Sequence, residues 1–486
     1  MDVSRLGFIR GIVASLGFGA LGGGRVFAAP PGWKPPKGAN LMFGVLSDTH
    51  LRTVHGPSGR PGHNWPHKYF ATALRYFRDQ NVDAVVHCGD FAHRGQVEEM
   101  RFHAGVWNKV FPKSLAPDGH EVVKLFVTGN HDTEGATYGD FVKKNYPDPA
   151  VRAKHVMQTD MPANWERIWG EKYEPVWHKE VKGYHFFGRH HRESKEALVS
   201  CLRLNAAALS DSKAKGRPFF YMQHSRPLGD IRKVLLRLSR GARPMSFFGH
   251  NHWSAASWNV ISLYKGCLPC VQVPSCEPRG CGGLVGDAWI TKASLTRDDQ
   301  VCKGRQGYVV RIYDDMLVIS RREFGAGGSL GEDWVMPLGN VSPHPFSKEG
   351  LMKAAGAPQF KEGAKLEIGT GNGSNSTTAT LNHSASRGLC VKIPRADGNP
   401  KCRAYAYEVA IRQPGAVDAE ADKKTEVLKA VYAAGVNLGM GHEPNDGVTT
   451  LEISRSELPK GEKFVVSATP LTSIGTRGRP ITANVS

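Results

Sequence analysis

Between residues 41 and 325 short apolar runs alternate with amphipathic stretches. Leu41 to Ser47, Ala84 to Cys88 and Val122 to Thr128 are near-continuous apolar segments of strand length. Tyr184 to Phe187, Phe219 to Met222 and Met245 to Phe248 follow the same habit. Pro66 to Gln80 has helical spacing, with Phe70, Leu74 and Phe77 on one face. Val97 to Phe111, Lys195 to Leu209 and Ile231 to Leu238 are predicted helices between the other strands. Tyr308 to Phe324 looks like a closing hairpin that turns at Asp314-Asp315. Strands alternating with helices predict an α/β layered domain over residues 38–325.

The pattern changes after that. Residues 326–360 are rich in Gly, Pro and Ser and suggest a linker or wrapping segment. From 361 to 486 there are β-like runs at Ala404 to Ile411, Val427 to Ala434, Thr449 to Ile453 and Lys463 to Ala468, separated by turn residues. Such runs over this length predict a smaller all-β sandwich. A chain of 486 residues is also too long for one ordinary core, so two folded domains are expected.

The net charge of +18 concentrates anions at the surface. The basic residues are spread along the chain, so no nucleic-acid-binding arm stands out. Phosphorylated small molecules, other anionic substrates, nucleic acid and lipid headgroups are all compatible partners. At the N-terminus, Arg5 and Arg10 precede a weakly apolar Gly-rich run, and Val26-Phe27-Ala28 offers small residues for cleavage. Residues 1–28 therefore predict a signal peptide and an exported protein, periplasmic or secreted. The run is too short to cross a bilayer, and no other segment could. Nine cysteines suit an oxidising compartment. Cys267, Cys270, Cys276 and Cys281, and the pair Cys390 and Cys402, are expected to form disulfides, with Cys88 left unpaired.

Candidate chemistry falls at the strand ends. The first strand runs into Asp48-Thr49-His50, the second into Gly89-Asp90, and the third into Gly129-Asn130-His131-Asp132. Two later strands run into Gln223-His224 and Gly249-His250-Asn251-His252. Sites in open α/β sheets form at the carboxyl ends of strands, so five such ends predict one cleft. Two Asp, one Asn and four His are too many donors for one ion. They suit two ions that share a carboxylate, and mixed oxygen and imidazole donors favour Mn, Fe or Zn.

The blocks D-x-H at Asp48–His50, G-D-x-x-x-x-G at Gly89–Gly95, G-N-H-D at Gly129–Asp132, a lone His224 and G-H-x-H at Gly249–His252 resemble the calcineurin-like metallophosphoesterase family. The resemblance implies a four-layer α/β/β/α sandwich of two mixed sheets. It implies that Asp48, His50 and His252 hold one metal, that Asn130, His224 and His250 hold the other, and that Asp90 bridges them. His131 would face the substrate, oriented by Asp132. The implied reaction is hydrolysis of phosphate esters, with a bridging hydroxide attacking phosphorus in line and His131 protonating the leaving oxygen. Phe91, Ala92, His93 and Arg94 follow Asp90, which excludes the tyrosinate ligand of purple acid phosphatases. The C-terminal part weakly resembles a fibronectin type III sandwich, with Phe464 where the tyrosine corner would carry Tyr.

Arg52, His93, Arg94, His190, His191 and Arg226 lie near these blocks and are candidate substrate contacts. A diesterase specific for cyclic nucleotides, nucleic acid or phospholipid headgroups is the alternative enzyme. A non-catalytic binding protein on the same fold is the reading from another class.

Overall fold

The computed structural model describes residues 38–51, 65–133, 143–144, 146–253, 255, 260–263, 269–276, 305–325, 328–329, 333–339, 346–347, 349–350, 356–371, 388–399, 404, 406–414, 427–432, 448–472 and 476–485. The N-terminal part is built on two sheets. The first contains β1 (Leu41–Leu46), β2 (Ala84–His87), β3 (Val123–Phe126), β10 (Gln306–Ile312), β11 (Met316–Glu323), β12 (Gly328–Ser329) and β13 (Trp334–Pro337). Its order is β12-β11-β10-β1-β2-β3, with β13 also on β11. The second sheet has the order β4-β5-β6-β7-β9-β8. Its strands are β4 (Val176–Val181), β5 (Tyr184–Arg189), β6 (Phe219–Met222), β7 (Pro244–Phe248), β8 (Ile261–Ser262) and β9 (Cys270–Gln272).

Both sheets are mixed. The strands β1, β2 and β3 are parallel, as are β5, β6, β7 and β9, whereas β10, β11 and β4 pair antiparallel. Parallel strands covered on both faces need apolar side chains on both. In β1, Leu41, Phe43 and Val45 meet Phe186, Phe220, Met245 and Phe247 between the sheets. Met42 and Leu46 point the other way, into the layer of α1 (Trp65–Asp79) and α2 (Val97–Val110). Phe70, Leu74 and Phe77 of α1 sit in that outer core with Met100 and Trp107 of α2.

Two very short or short helices, α3 (Asn130–Thr133) and α4 (Pro149–His155), precede α5 (Met161–Trp169), whose Trp165 and Trp169 join the same core. On the far side, α6 (Lys195–Leu204), α7 (Ala206–Ala214) and α8 (Gly229–Leu238) cover the second sheet through Leu198, Leu209 and Leu235. The result is the expected α/β/β/α order of layers. The single helix expected over 195–209 is two, because Asn205 leaves helical geometry and caps the second.

The structure also shows strands that periodicity did not reveal. β4 mixes apolar and charged residues, and β8 and β9 are too short to show a period. Within residues 326–360, Trp334 to Pro337 add a strand to β11, and Trp334 is fully buried. That part of the expected linker or wrapping segment belongs to the sheet.

The C-terminal region is all-β. A three-stranded sheet, β14-β15-β18, and a four-stranded one, β17-β16-β19-β20, share a core. The strands are β14 (Glu367–Gly371), β15 (Gly388–Ile393), β16 (Ala406–Arg412), β17 (Val427–Tyr432), β18 (Thr449–Ile453), β19 (Phe464–Leu471) and β20 (Ile481–Val485). Alternation is clean in β15, where Leu389, Val391 and Ile393 are buried, and each neighbour is less so. Period 2 of this kind marks strands with one covered face. Tyr407 lies in the core, and its hydroxyl donates to the Pro394 carbonyl at 3.2 Å and accepts from the Ala396 N–H at 3.0 Å.

Cys88, Cys201, Cys276 and Cys390 carry free thiols. For Cys276 and Cys390 this corrects the expectation of disulfides, whereas Cys88 is the residue expected to be unpaired. Burial lifts the Cys276 thiol far above its ordinary range, as it does any thiol kept from water. Cys267, Cys281, Cys302 and Cys402 lie outside the described residues, as do residues 1–37 with the expected signal. Among the described residues no helix is long and apolar enough to cross a membrane.

Candidate metal centre

β1, β2, β3, β6 and β7 end at one cleft between the two sheets. The first sheet delivers Asp48, His50, Asp90 and Asn130, and the second delivers His224, His250 and His252. The chain after β1 runs beside the chain after β2. The N–H groups of Asp48 and His50 donate to the carbonyls of Gly89 and Asp90, each at 3.0 Å. The two sheets meet where the His250 N–H donates to the Asp48 carboxylate at 3.1 Å.

The donors gather in two groups with one shared member. In the first, His252 Nε2 is 2.9 Å from Asp48 Oδ1, and His50 Nε2 is 3.7 Å from Asp48 Oδ1 and 3.6 Å from Asp90 Oδ2. In the second, His224 Nε2 is 3.1 Å from the same Asp90 Oδ2, and Asn130 Oδ1 lies 3.0 Å from both His224 Nε2 and His250 Nδ1. Ligating atoms of Asp48, His50, Asp90 and His252 all lie within 4.8 Å of one another. The structure thus brings all seven expected ligand residues together, with Asp90 between the halves.

The chemistry of these donors calls for positive charge. His224 Nδ1 lies 2.7 Å from the Cys88 carbonyl, which can only accept, so Nδ1 carries a hydrogen. Its Nε2 then faces two oxygens and must hold a proton or a cation. Burial opposes charge on this ring, but Asp90 and Asp48 together lift it to about 10. Burial likewise opposes ionisation of Asp48 and Asp90, yet the neighbouring imidazoles hold both well below the usual carboxylate range. The ring nitrogens of His50 and His252 meet at 3.1 Å, and those of His224 and His250 at 3.3 Å. A cation between each pair would satisfy both lone pairs. The residues therefore fit two metal ions, with oxygen and imidazole donors of the kind that suits Mn, Fe or Zn.

The backbone is strained here. Asp48, His50, Asp90, His250 and His252 all have positive φ, at 53°, 42°, 57°, 72° and 54°. Left-handed geometry costs a non-glycine residue about 1–3 kcal/mol and persists only where the surroundings enforce it. Five of seven candidate ligands accept that cost, which marks a backbone shaped for ligand direction. Gly249 is needed for close approach, since a Cβ there would strike Ser47 and Asp48.

The other expected site residues divide. His131 lies beside His50, with ring centroids 4.5 Å apart, and its Nδ1 donates to the His93 carbonyl at 2.8 Å. Asp132 does not orient it, a correction to the sequence reading. The Asp132 carboxylate instead accepts the N–H groups of Asp90, Phe91, Ala92 and Gly129, at 2.7–3.3 Å. It is fully buried there and pins the Asp90 loop to the Asn130 loop. Burial and the Asp90 charge push its carboxyl up to about 7, against the pull of those backbone donors. His93 sits at the cleft, its ring 5.5 Å from that of His131. Nitrogens of His50, His93 and His131 also fall within 4.8 Å. His50 Nε2 is directed at Asp48 and Asp90, so His93 and His131 are better placed to meet a bound molecule.

His191 also reaches the cleft, its ring 6.1 Å from that of His224. Arg94 and Arg226 are half-buried, and the Arg94 backbone N–H is fixed by Glu99 Oε2 at 2.9 Å. Arg52 lies outside the described residues. His190 is a second correction. Its side chain turns away from the metal ligands, is only 1% exposed, and stacks on Tyr173 at 4.3 Å. It lines a separate cavity of about 290 Å³ with Trp165, Trp177 and His178. Its Nδ1 accepts the Thr128 N–H at 3.0 Å, so the ring is neutral.

Burial, then Lys179, pushes His190 down to about 3. A folded-state value below the unfolded one means that unfolding takes up a proton. The stability this group contributes is complete above about pH 6.5 and is lost as pH falls toward about 3. In urea unfolding at several pH values, His190→Gln should flatten the acid decline by up to about 1.4 kcal/mol per pH unit in that window. An unchanged slope would show that His190 does not carry the acid response.

Sequence reasoning missed a polar layer behind the ligands. Thr49, His87 and His103 are buried together, with Thr49 Oγ1 2.8 Å from His103 Nε2 and 3.2 Å from His87 Nε2. The one signal was a histidine ending the apolar run of β2.

Residues 41–254 match the family described as Calcineurin-like phosphoesterase. That segment is a calcineurin-like phosphoesterase domain. The match supports a phosphoester hydrolase, and the five sequence blocks from Asp48 to His252 lie within it. Solved structures are similar over part of the chain. A dimetal phosphatase from Danio rerio is 12% identical at a TM-score of 0.34, and the match covers 62% of this chain and 100% of that one. A purple acid phosphatase from yellow lupin seeds is 11% identical at 0.37, covering 61% of this chain and 53% of that one. Vacuolar Protein Sorting 29 from Cryptosporidium parvum is 10% identical at 0.26, covering 61% and 96%. No curated protein sequence matches.

Proposed function

We propose that this phosphoesterase hydrolyses phosphate esters at a binuclear metal centre held by Asp48, His50, His252, Asp90, Asn130, His224 and His250. The observation that carries the reading is the shared Asp90 Oδ2, within 3.6 Å of one donor group and 3.1 Å of the other. Two ions bound there would supply Lewis acidity, lowering the pKa of water toward neutrality and drawing charge off the phosphoryl oxygens.

The protein's own part is to aim and to move a proton. The Cys88 carbonyl fixes the tautomer of His224, and the Asp48 carboxylate holds the His250 backbone. The His93 carbonyl fixes Nδ1–H of His131, which assigns proton exchange to Nε2. Burial holds His131 below its ordinary value, so its ring is neutral at rest. An arriving phosphate dianion would raise it, so that Nε2 takes up a proton from solvent and then gives it to the leaving oxygen. His131→Ala should lower kcat by about 10²–10⁴-fold while bound metal stays at the wild-type ratio. Metal analysis beside turnover of nitrophenyl phosphate and bis-nitrophenyl phosphate tests this. The same pair of substrates separates a monoesterase from a diesterase. Absence of metal, or of turnover on both, would overturn the reading.

The net charge of +18 supports an anionic substrate. We also propose export through residues 1–28, on their basic and apolar pattern. For the C-terminal region we propose a fibronectin type III-like sandwich. Its three-plus-four strand arrangement supports this, and the Tyr407 hydroxyl ties one strand to the chain leaving β15.

A further inference from the structure

The D-x-H loop after β1 holds two ligands with left-handed backbone, Asp48 and His50, on either side of Thr49. Two such residues so close together will not hold their shape unaided. Behind them lies a chain of buried hydrogen bonds whose directions can be assigned. The Gly89 N–H can only donate, so His87 Nδ1 accepts it at 3.2 Å. A neutral His87 then carries its hydrogen on Nε2 and donates to Thr49 Oγ1. The Glu99 carbonyl can only accept, so His103 donates from Nδ1 at 3.1 Å. His103 Nε2 is then an acceptor for the Thr49 hydroxyl. Each link has one direction, and Thr49 joins the two histidines, taking from His87 and giving to His103.

The chain is held by packing. His87 stacks on Phe91 at 3.6 Å between centroids, and His103 lies against Phe70 at 4.8 Å. Its ends are anchored in the body of the domain, at Gly89 beside Asp90 and at Glu99 in the first turn of α2. From the other side, Ser275 Oγ donates to the Asp48 carbonyl at 2.9 Å. Thr49 thus couples the Asp48–His50 loop to the loop that carries Asp90.

We propose that Thr49 is a positioning residue for the metal half built from Asp48, His50 and His252, with His87 and His103 as its fixed supports. The inference rests on the binuclear reading of the site. Thr49→Val keeps the shape but can neither donate nor accept. Direct Mn²⁺ titration, by calorimetry or by electron paramagnetic resonance, should show one of the two binding steps weakened about 10–100-fold, the other within about threefold of wild type. Thr49→Ser restores the hydroxyl and should restore both steps. His103→Gln, which keeps an amide at the supporting position but not the ring's directions, should weaken the same single step.

If wild type binds no Mn²⁺, the binuclear reading fails. If wild type binds two ions and Thr49→Val binds both as tightly, the positioning role alone is overturned. Equal weakening of both steps in Thr49→Val, or no rescue by Thr49→Ser, also overturns it. Should Thr49→Val not fold, His103→Gln decides by the same titration, and two unchanged binding steps there overturn the proposal.

Discussion

Asp90→Ala should bind at most one metal ion per chain and lose at least about 10³-fold in turnover. Oδ2 of this carboxylate faces both donor groups, and Oδ1 accepts the His131 N–H at 2.9 Å. Its loss therefore removes a donor from each half and loosens the loop that carries Asn130 and His131. The remaining imidazoles would also lose the carboxylate that faces them, since Asp90 does most to raise His224. Removing one member of a buried charge pair costs about 3–5 kcal/mol, and a cation site pays it in affinity. Mass spectrometric metal counting with a phosphoester assay checks the outcome. Two ions and full activity in Asp90→Ala would refute the shared-ligand arrangement.

The second large effect is expected away from any ligand atom. Gly89 has φ of +95°, and a Cβ on it would stand 2.6 Å from the Gly129 nitrogen. Gly89→Ala therefore meets both a disfavoured backbone and a clash with main chain that cannot rotate away. A loss of about 2–4 kcal/mol in urea unfolding is expected. Because Gly89 and Gly129 bring the Asp90 and Asn130 loops together, metal binding should fall as well. A variant as stable as wild type would show that these loops are not in contact.

Much of this site was legible before any coordinates. Continuous apolar runs identify strands when both faces are covered, and β1, β2, β6 and β7 are of that kind. A polar residue after such a run has few places to go except the sheet edge. That is why Asp48, Asp90, His224 and His250 could be read as neighbours. The partner of Asp132 could not be read, because its four contacts are backbone N–H groups, which every residue carries. His190 misled for a related reason. Adjacent residues after β5 point to opposite sides, and only packing against Tyr173 and Trp165 decides which of His190 and His191 enters the cleft. Thr49 and His103 left no trace, since buried polar contacts between distant segments follow no period. The strand at Trp334–Pro337 was hidden by the Gly and Pro around it.

The division of donors between the sheets has a mechanical corollary. Four come from one half of the sandwich and three from the other, so any ions held there act as rivets across the seam. Stripping them with a chelator would remove an ionic fastening that spans both halves of the cleft floor. The domain's resistance to heat and to proteases should then rise and fall with metal supply, whether or not a substrate is present.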